Sequence, residues 1–223
     1  MSLTNGAVPR ERLFALLDKL VGDAVTLVHA PTGTGKSTLL ATWADRCGPH
    51  VALVNVERRY GEPDVLRQAI HDASTRTRSC LVLDNADRLA GSPAAHLLTG
   101  LARDRGHGLV LAGRSSLPLR TWLRAHGGLA EIRAEDLVFT RQEATALLRA
   151  HHVHPSLDDF DALLARTGGH AATLRLAVTS LTERGTPTVP RPRDPARSPH
   201  SPVRTSHVLD DVESAPRGDS VTR

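Results

Sequence analysis

The sequence is poor in aromatic residues and cysteine, and it has no long apolar run. Aromatic residues make up 3% of the 223 residues, so leucine, valine and alanine must build the core. The two cysteines, Cys47 and Cys80, are typical of a protein in a reducing compartment without a disulfide framework. No apolar stretch approaches the roughly 20 residues that cross a bilayer. The first residues carry no charged-then-apolar signal pattern. We therefore expect a cytoplasmic protein without membrane contact.

Lysine is almost absent, although the chain is basic. The formal net charge is +4, and all but two of the 28 basic residues are arginines spread along the whole chain. No dense basic stripe alternates with aromatic residues, as a nucleic-acid-binding surface requires. We therefore expect no direct DNA binding by this chain. The two lysines are Lys19 and Lys36.

Lys36 lies in a segment with the pattern of a phosphate-binding loop. A short apolar strand is predicted at 24–29, before the segment, and an amphipathic helix at 36–46, after it. Strand, glycine-rich turn and helix in this order turn a motif match into a candidate site for nucleotide phosphates. The candidate binding residues are Ala30, Pro31, Thr32, Gly33, Thr34, Gly35, Lys36, Ser37 and Thr38.

The residue types in this loop each have a physical role in binding phosphate or Mg²⁺. Gly33 and Gly35 reach backbone angles closed to other residues, so successive N–H groups turn toward a phosphate. The following helix adds a partial positive charge at its N-terminus. Lys36 is predicted to reach the β- and γ-phosphates, and the Ser37 hydroxyl to ligate Mg²⁺. Ala30 replaces the first motif glycine, which costs little where the backbone angle is ordinary.

A second signal is the aspartate that ends an apolar strand predicted at 80–84. Asp84 has the position of a Walker B residue, which holds Mg²⁺ opposite the loop hydroxyl. The next residue, Asn85, stands where hydrolysing nucleotide-binding proteins usually carry an acidic group that activates water. An amide binds water but accepts no proton. Asp87 is the alternative water-orienting group; Glu57 is a further candidate, disfavoured by its place on an edge strand.

A third signal is Arg114, directly after the strand predicted at 108–112. An arginine at this position reaches the γ-phosphate from between the other two motifs and reports whether that phosphate is present. The competing interpretation is a surface arginine among many.

Strands and helices alternate along the first part of the chain, which predicts an α/β fold with a parallel sheet covered on both faces. Ser92 and Pro93 predict a helix start, with serine as N-cap and proline at the first helical position. The remaining strands are expected at 51–56 and 130–133.

After about residue 139 the pattern becomes helical. Thr140 and Glu143 predict a capping box, and three helices without an intervening strand are expected at 141–151, 157–167 and 171–184. Half of the 14 prolines lie after residue 185, in a stretch too polar to fold alone. The predicted domains are a core at 1–138, a helical lid at 139–184 and a disordered tail at 185–223.

Taken together, these motifs resemble the nucleotide-binding domain of STAND-class P-loop ATPases, and more closely the large ATP-binding regulators of the LuxR family. The resemblance covers about residues 8–184, and the later stretches LAEIRAEDLVFTRQEATALL and TGGHAATLRLA carry its distinctive part. It implies an ASCE, AAA-like sheet with strand order 5-1-4-3-2. It also implies that Arg114 is the sensor arginine, and that Val8, Pro9 and Arg10 lie near adenine and ribose.

The same resemblance implies a function. In this family ATP–Mg²⁺ binding switches a closed regulator to a self-associating form, and slow hydrolysis resets it, so ATP, Mg²⁺ and a second copy or a regulatory protein are the expected partners. Asn85 departs from the family pattern and favours binding over hydrolysis. His170 and Ala171 stand where the family has an aromatic residue and a proline that packs on the nucleotide.

The family's helical-repeat sensor region and DNA-binding helix-turn-helix have no counterpart here. Transcriptional activation is therefore not implied, and we expect a fragment, a truncated copy or a stand-alone switch. The alternatives from other classes are a nucleotide-binding module without turnover, a small-substrate phosphotransferase and a subunit of an AAA+-like machine.

Overall fold

A computed structural model describes residues 7–22, 25–75, 79–104, 106–114, 119–126 and 128–184. Its centre is a five-stranded parallel sheet in the order β2-β3-β4-β1-β5. This order is 5-1-4-3-2 counted from the other edge, so the predicted fold class and strand order are confirmed. The strands are β1 (Val25–His29), β2 (Val51–Asn55), β3 (Cys80–Asp84), β4 (Gly108–Gly113) and β5 (Leu129–Arg133).

Eight α-helices lie among the described residues, and four of them connect consecutive strands. None of these helices has the length and apolar character needed to cross a membrane. The helices are α1 (Glu11–Leu20), α2 (Lys36–Cys47), α3 (Pro63–Ser74), α4 (Ala95–Arg103), α5 (Leu119–His126), α6 (Arg141–Ala150), α7 (Leu157–Thr167) and α8 (Ala171–Arg184).

Burial separates the central strands from the edge strands. Every residue of β3 and β4 is buried, because helices cover both faces of the sheet there. The edge strands β2 and β5 are only partly buried. The motif strands β1 and β3 are therefore held rigidly, with β4 between them, and their carboxyl ends open at the same edge of the sheet.

The face of the sheet behind the phosphate loop is closed by α1 and α2. Leu13 and Phe14 of α1 pack with Leu40 and Trp43 of α2, and all four side chains are nearly or fully buried. The Trp43 indole Nε1–H donates to Asp18 Oδ1 at 2.7 Å, which satisfies its polar group at the rim of this core. The helix that follows the loop is thus anchored to the core along its length.

The last three helices pack around their own apolar cluster. Leu147, Phe160, Leu163 and Leu174 belong to this cluster, and Val8 from the N-terminal segment packs against it. The predicted capping box is present: the Glu143 N–H donates to the Thr140 hydroxyl, and the Thr140 N–H donates to the Glu143 carboxylate. The limits of core and lid at residues 138 and 139 remain a prediction, and the predicted tail lies outside the described residues.

One predicted helix start is wrong. Ser92 does not cap α4; its hydroxyl donates backward to the Leu89 carbonyl at 2.8 Å. Ser92, Pro93 and Ala94 form a turn, and α4 begins at Ala95 without a side-chain cap. The serine bonds to the preceding short 3-10 helix, Ala86–Leu89, so its hydroxyl is unavailable to the first turn of α4.

Candidate functional site

The loop between β1 and α2 has the backbone that a phosphate cradle needs. Gly33 and Gly35 have φ values of 83° and 89°, in the left-handed region that glycine occupies without steric cost. Among the described non-glycine residues, only Asn85 and His152 have positive φ. Ala30 therefore has an ordinary backbone angle, and alanine is accommodated at the position of the first motif glycine.

Lys36 is folded into this loop. Its Nζ donates to the carbonyl oxygens of Ala30 at 2.7 Å and Pro31 at 2.8 Å, and the residue is 7% exposed. Burial lowers the pKa of the Lys36 ammonium below 10.5, while Asp84 and Asp87 oppose that shift. The cation is thus held at the loop by neutral carbonyl oxygens, which an anionic ligand would outcompete.

The other loop residues surround the same point. Thr34 is buried and its hydroxyl donates to the Pro31 carbonyl at 2.9 Å, which closes the turn. Ser37 and Thr38 are half-buried in the first turn of α2, whereas Pro31 and Thr32 face solvent. The helix begins at Lys36, so its N-terminal N–H groups point toward the loop's concave side.

Asp84 and Asn85 lie at the end of β3, next to the end of β2. Asp84 is buried, and its Oδ1 accepts a hydrogen bond from the Asn85 N–H at 2.9 Å. The Asn85 side-chain amide donates to Asn55 Oδ1 at 2.8 Å. The residue predicted to stand in for a water-activating acid is therefore tied to the edge strand β2. Sequence reasoning missed Asn55, and no motif marks it.

Asp87 and Arg114 form an ion pair at the ends of β3 and β4. The Arg114 Nε–H donates to Asp87 Oδ2 at 3.2 Å. The side chain of Asp87 is 7% exposed, whereas that of Arg114 is 56% exposed. The structure thus brings two predicted site residues together. Glu57, the other acidic candidate, is exposed and pairs with Arg59 instead.

A cavity of about 220 Å³ opens beside the loop. Its wall includes two of the three N-terminal residues implied by the family resemblance, Val8 and Arg10, but not Pro9, which is exposed. The remaining lining comes from the N-terminal segment, the loop, α2 and the helical region: Ala7, Gly33, Gly35, Thr38, Leu39, Thr42, Phe139, Leu147, Ala171, Ala172 and Arg175.

Arg10 is a buried bridge between the N-terminal segment and the helical region. Its guanidinium donates to the carbonyl oxygens of Leu137 and Val138 and to Glu143 Oε2, at 2.8 to 2.9 Å. It also stacks on the Phe139 ring at 4.1 Å. Burial raises the pKa of Glu143, but the Arg10 hydrogen bond and the Thr140 N–H outweigh it, and the pKa lies below its usual value.

Sequence reasoning placed Arg10 near a ligand but missed its bond to Glu143. The capping-box pattern at Thr140 and Glu143 located the second partner without showing that its carboxylate also meets Arg10. The two residues are 133 positions apart in sequence. Only the packing of the helical region against the N-terminal segment joins them.

The described residues include no group of three histidine, cysteine or acidic side chains arranged to hold a metal ion. The candidate Mg²⁺ ligands Ser37 and Asp84 supply a hydroxyl and a carboxylate from the same sheet edge. Two protein oxygens match the way Mg²⁺ is usually bound beside a nucleotide, with phosphate and water oxygens completing its shell.

Comparison with known proteins gives the same architecture. Residues 26–114 match the model of the ATPase family associated with various cellular activities (AAA). The chain is 31% identical over 222 residues to the serine/threonine-protein kinase PknK of Mycobacterium tuberculosis and of Mycobacterium bovis. That match covers 80% of this chain and 20% of the kinase, so the chain spans about a fifth of these relatives' length.

Two solved structures share the fold at low sequence identity. AMPPCP-bound DnaA from Aquifex aeolicus superposes with a TM-score of 0.55 and 16% identity, covering 82% of this chain and 65% of DnaA. A Walker-type ATPase of Pyrococcus abyssi gives a TM-score of 0.57 and 14% identity, covering 80% of this chain and 69% of that protein. The strand order, the glycine-rich loop and these superpositions identify a P-loop NTPase fold, and residues 26–114 are similar to the AAA family of ATPases.

Proposed function

We propose that this domain is a regulatory switch that binds ATP with Mg²⁺ and hydrolyses it slowly. The observation that carries the proposal is the meeting of three motifs at one sheet edge. The buried Asp84 and the Asp87–Arg114 pair lie close enough to the loop for their charges to act on Lys36. A site with these groups suits a polyphosphate and a divalent cation.

The phosphates would lie in the loop and the base in the neighbouring cavity. Lys36 exchanges the Ala30 and Pro31 carbonyls for phosphate oxygens, and Ser37 with Asp84 holds the Mg²⁺. The metal supplies charge neutralisation at the phosphates when bound. Val8 and Phe139 offer an apolar wall to the base, and Arg10 lies at that wall. Pro9 is exposed and does not line this cavity.

Two comparisons support a nucleotide ligand. The DnaA neighbour was solved with AMPPCP, an ATP analogue, in the same fold. The match to AAA ATPases spans the loop and both acidic and arginine motifs. The regulatory role rests on the resemblance to STAND and LuxR-family regulators and implies self-association or a regulatory protein partner.

Slow hydrolysis is proposed because both candidate water-orienting groups are already engaged. Asn85 binds Asn55 through its amide and accepts no proton. Asp87 binds Arg114. A general base contributes typically about 10²–10⁴-fold to a rate, so a site without a free one turns over slowly.

The same two contacts favour an alternative, a nucleotide-binding interaction module without useful hydrolysis. Both proposals share the binding site and differ only in turnover. We also propose that residues 139–184 act as a lid over the core, since α8 and Phe139 form part of the cavity wall.

The test is equilibrium binding of a fluorescent ATP analogue to the full chain, with and without Mg²⁺, combined with single-turnover hydrolysis. Lys36→Ala removes the loop cation, and Lys19→Ala is the matched control at the exposed second lysine. Binding that is lost in Lys36→Ala and kept in Lys19→Ala supports the switch. Slow phosphate release separates it from the alternative, and equal binding by both variants contradicts the proposed site.

A further inference from the structure

Asp87 lies in an unusual environment for a carboxylate outside the metal site. It is in the short 3-10 helix after β3, with its side chain 7% exposed. Its Oδ2 accepts from Arg114 Nε, while its Oδ1 is buried and accepts no hydrogen bond within the described part of the chain. A buried oxygen without a donor is costly. Packing alone gives no reason to keep a charge there.

Gly113 explains how Asp87 comes so close to β4. A β-carbon on Gly113 would lie 3.1 Å from Asp87 Oδ1 and 3.2 Å from its Cβ, so a side chain at 113 would push the carboxylate away. The Gly113 carbonyl also accepts the Ala30 N–H at 3.3 Å, which links this point to the phosphate loop. Loop, Gly113 and Asp87 are therefore contiguous.

The contact uses one side of the Arg114 guanidinium. Asp87 accepts the Nε–H, and within the described residues the two terminal nitrogens are left for another anion. Half of the arginine side chain faces solvent, so the pair does not bury the cation. The charges of Asp84, Asp87 and Arg114 all act on Lys36, which shows how near the pair lies to the phosphate loop.

We propose that Asp87 is a positioning residue for Arg114, holding its Nε so that the terminal nitrogens meet the γ-phosphate and the site distinguishes ATP from ADP. This inference rests on the proposed function, and it assigns Asp87 a role other than water activation. A free arginine side chain has many rotamers. A buried carboxylate that holds the arginine side chain in one conformation lowers the conformational entropy lost when the arginine binds a phosphate.

Replacing Asp87 should change the ATP affinity in the direction opposite to that expected from charge alone. Removing a negative charge beside the phosphates would by itself tighten binding of an anion. A positioning role predicts the reverse for ATP. ADP has no γ-phosphate for Arg114 to contact, so its affinity should not fall. The expected loss of ATP affinity is about tenfold, the value of a charge-assisted hydrogen bond.

The experiment measures dissociation constants of a non-hydrolysable ATP analogue and of ADP, both with Mg²⁺, for the full chain. The variants are Asp87→Asn, Asp87→Ala, Arg114→Gln and the Asp87→Ala, Arg114→Gln double variant. Asp64→Asn is the matched control, because Asp64 forms an exposed ion pair with Arg67 on α3. Thermal unfolding of each variant shows whether it is folded.

We expect the preference for the ATP analogue over ADP to fall in the order wild type, Asp87→Asn, Asp87→Ala. The amide of Asp87→Asn still accepts the Nε–H and keeps part of the effect. Arg114→Gln should match Asp87→Ala, and the double variant should lose no more than either, because the two residues act as one unit. Asp64→Asn should keep the wild-type preference.

Other outcomes are equally informative. An unchanged or increased preference of Asp87→Ala for the ATP analogue over ADP overturns the inference. A loss of single-turnover hydrolysis at unchanged affinities also overturns it, because that result is the signature of a general base. An equal loss for both nucleotides indicates a structural role and also overturns it. If the wild type binds neither nucleotide, the proposed function fails together with the inference.

Discussion

The backbone N–H of Ala172 donates a hydrogen bond to the carbonyl oxygen of Gly33 at 2.9 Å, so the first turn of α8 sits directly on the phosphate loop. A β-carbon built on Gly33 would approach the Ala172 β-carbon to 3.0 Å, and one on Gly35 would approach that of Ala171 to 3.3 Å. Loop and helix thus meet through small residues on both sides. The position of α8 and the access to the loop are therefore coupled.

Enlarging residue 172 should block the cavity without unfolding the protein. Ala172 is exposed and lines the cavity, so the Ala172→Leu side chain enters space that the ligand needs rather than the core. Overpacking costs about 1–3 kcal/mol, which predicts a loss of nucleotide affinity of roughly tenfold or more. Titration with a fluorescent ATP analogue measures it.

Ala165→Leu is the control for this prediction, because Ala165 is exposed on α7 and does not line the cavity. Its affinity should equal that of the wild type. An Ala172→Leu protein with wild-type affinity would mean that α8 moves away from the loop on binding, or that the ligand lies elsewhere.

Breaking the Arg10–Glu143 bridge should destabilise the chain. Both side chains are nearly buried, at 7% and 11% exposure, so Glu143→Gln leaves Arg10 without its counter-charge. We expect a loss of about 2 kcal/mol in the free energy of unfolding, below the loss for a fully buried pair. Chemical denaturation measures it, and Glu135→Gln, at an exposed acid, is the control.

The Arg10–Glu143 bridge should also make the stability of the chain depend on pH. The pKa of Glu143 is lower in the folded chain than its ordinary value of 4.5. Its contribution to stability is therefore complete above pH 4.5 and is lost as the pH falls through the lowered pKa. The stability difference between wild type and Glu143→Gln should shrink below pH 4.5, and a difference that grows there would contradict the assignment.

Lys36 predicts a trend of the same sign at alkaline pH, with stability rising as the pH rises. Burial lowers its pKa below 10.5, so between the lowered pKa and 10.5 the unfolded chain binds more protons than the folded one. Wild type should gain stability relative to Lys36→Met as the pH rises through this window. Thermal unfolding of both proteins from pH 8 upward measures it, with Lys19→Met controlling for loss of a lysine elsewhere.

Restoring an acid at position 85 should increase turnover. Asn85→Asp supplies a carboxylate beside the buried Asp84, and aspartate tolerates the left-handed backbone found there, with φ of 57°. We expect single-turnover hydrolysis to accelerate by about 10-fold to 100-fold. The new carboxylate faces Asn55 Oδ1, so the Asn55 amide must rotate to donate.

Asn55→Ala in the Asn85→Asp background controls for that contact. If neither Asn85→Asp nor the double variant hydrolyses ATP faster than wild type, position 85 does not orient the attacking water. The slow turnover then has another cause.

Local patterns in the sequence determined the strands, most helix limits and the phosphate loop. Apolar runs of strand length, the glycine pair and the lysine act within a few residues, so their physics is visible in one stretch of chain. The capping box at Thr140 and Glu143 was predicted for the same reason. The site roles of Lys36, Asp84 and the other candidates remain predictions. The predicted start of α4 was wrong because the Ser92 hydroxyl can bond either to the preceding 3-10 turn or to the first turn of the helix. In the structure it bonds to the Leu89 carbonyl of the 3-10 turn.

Tertiary structure alone decided how distant polar side chains pair. Arg10 meets Glu143 across 133 positions, Asn85 meets Asn55 across 30, and Arg114 meets Asp87 across 27. None of these spacings corresponds to a helix or strand period, so no sequence pattern records them. They arise because parallel strands deliver their carboxyl ends to one edge and the helical region folds back onto the loop. The sequence by itself determined which groups are present, and the packing determined which of them are free to meet a ligand.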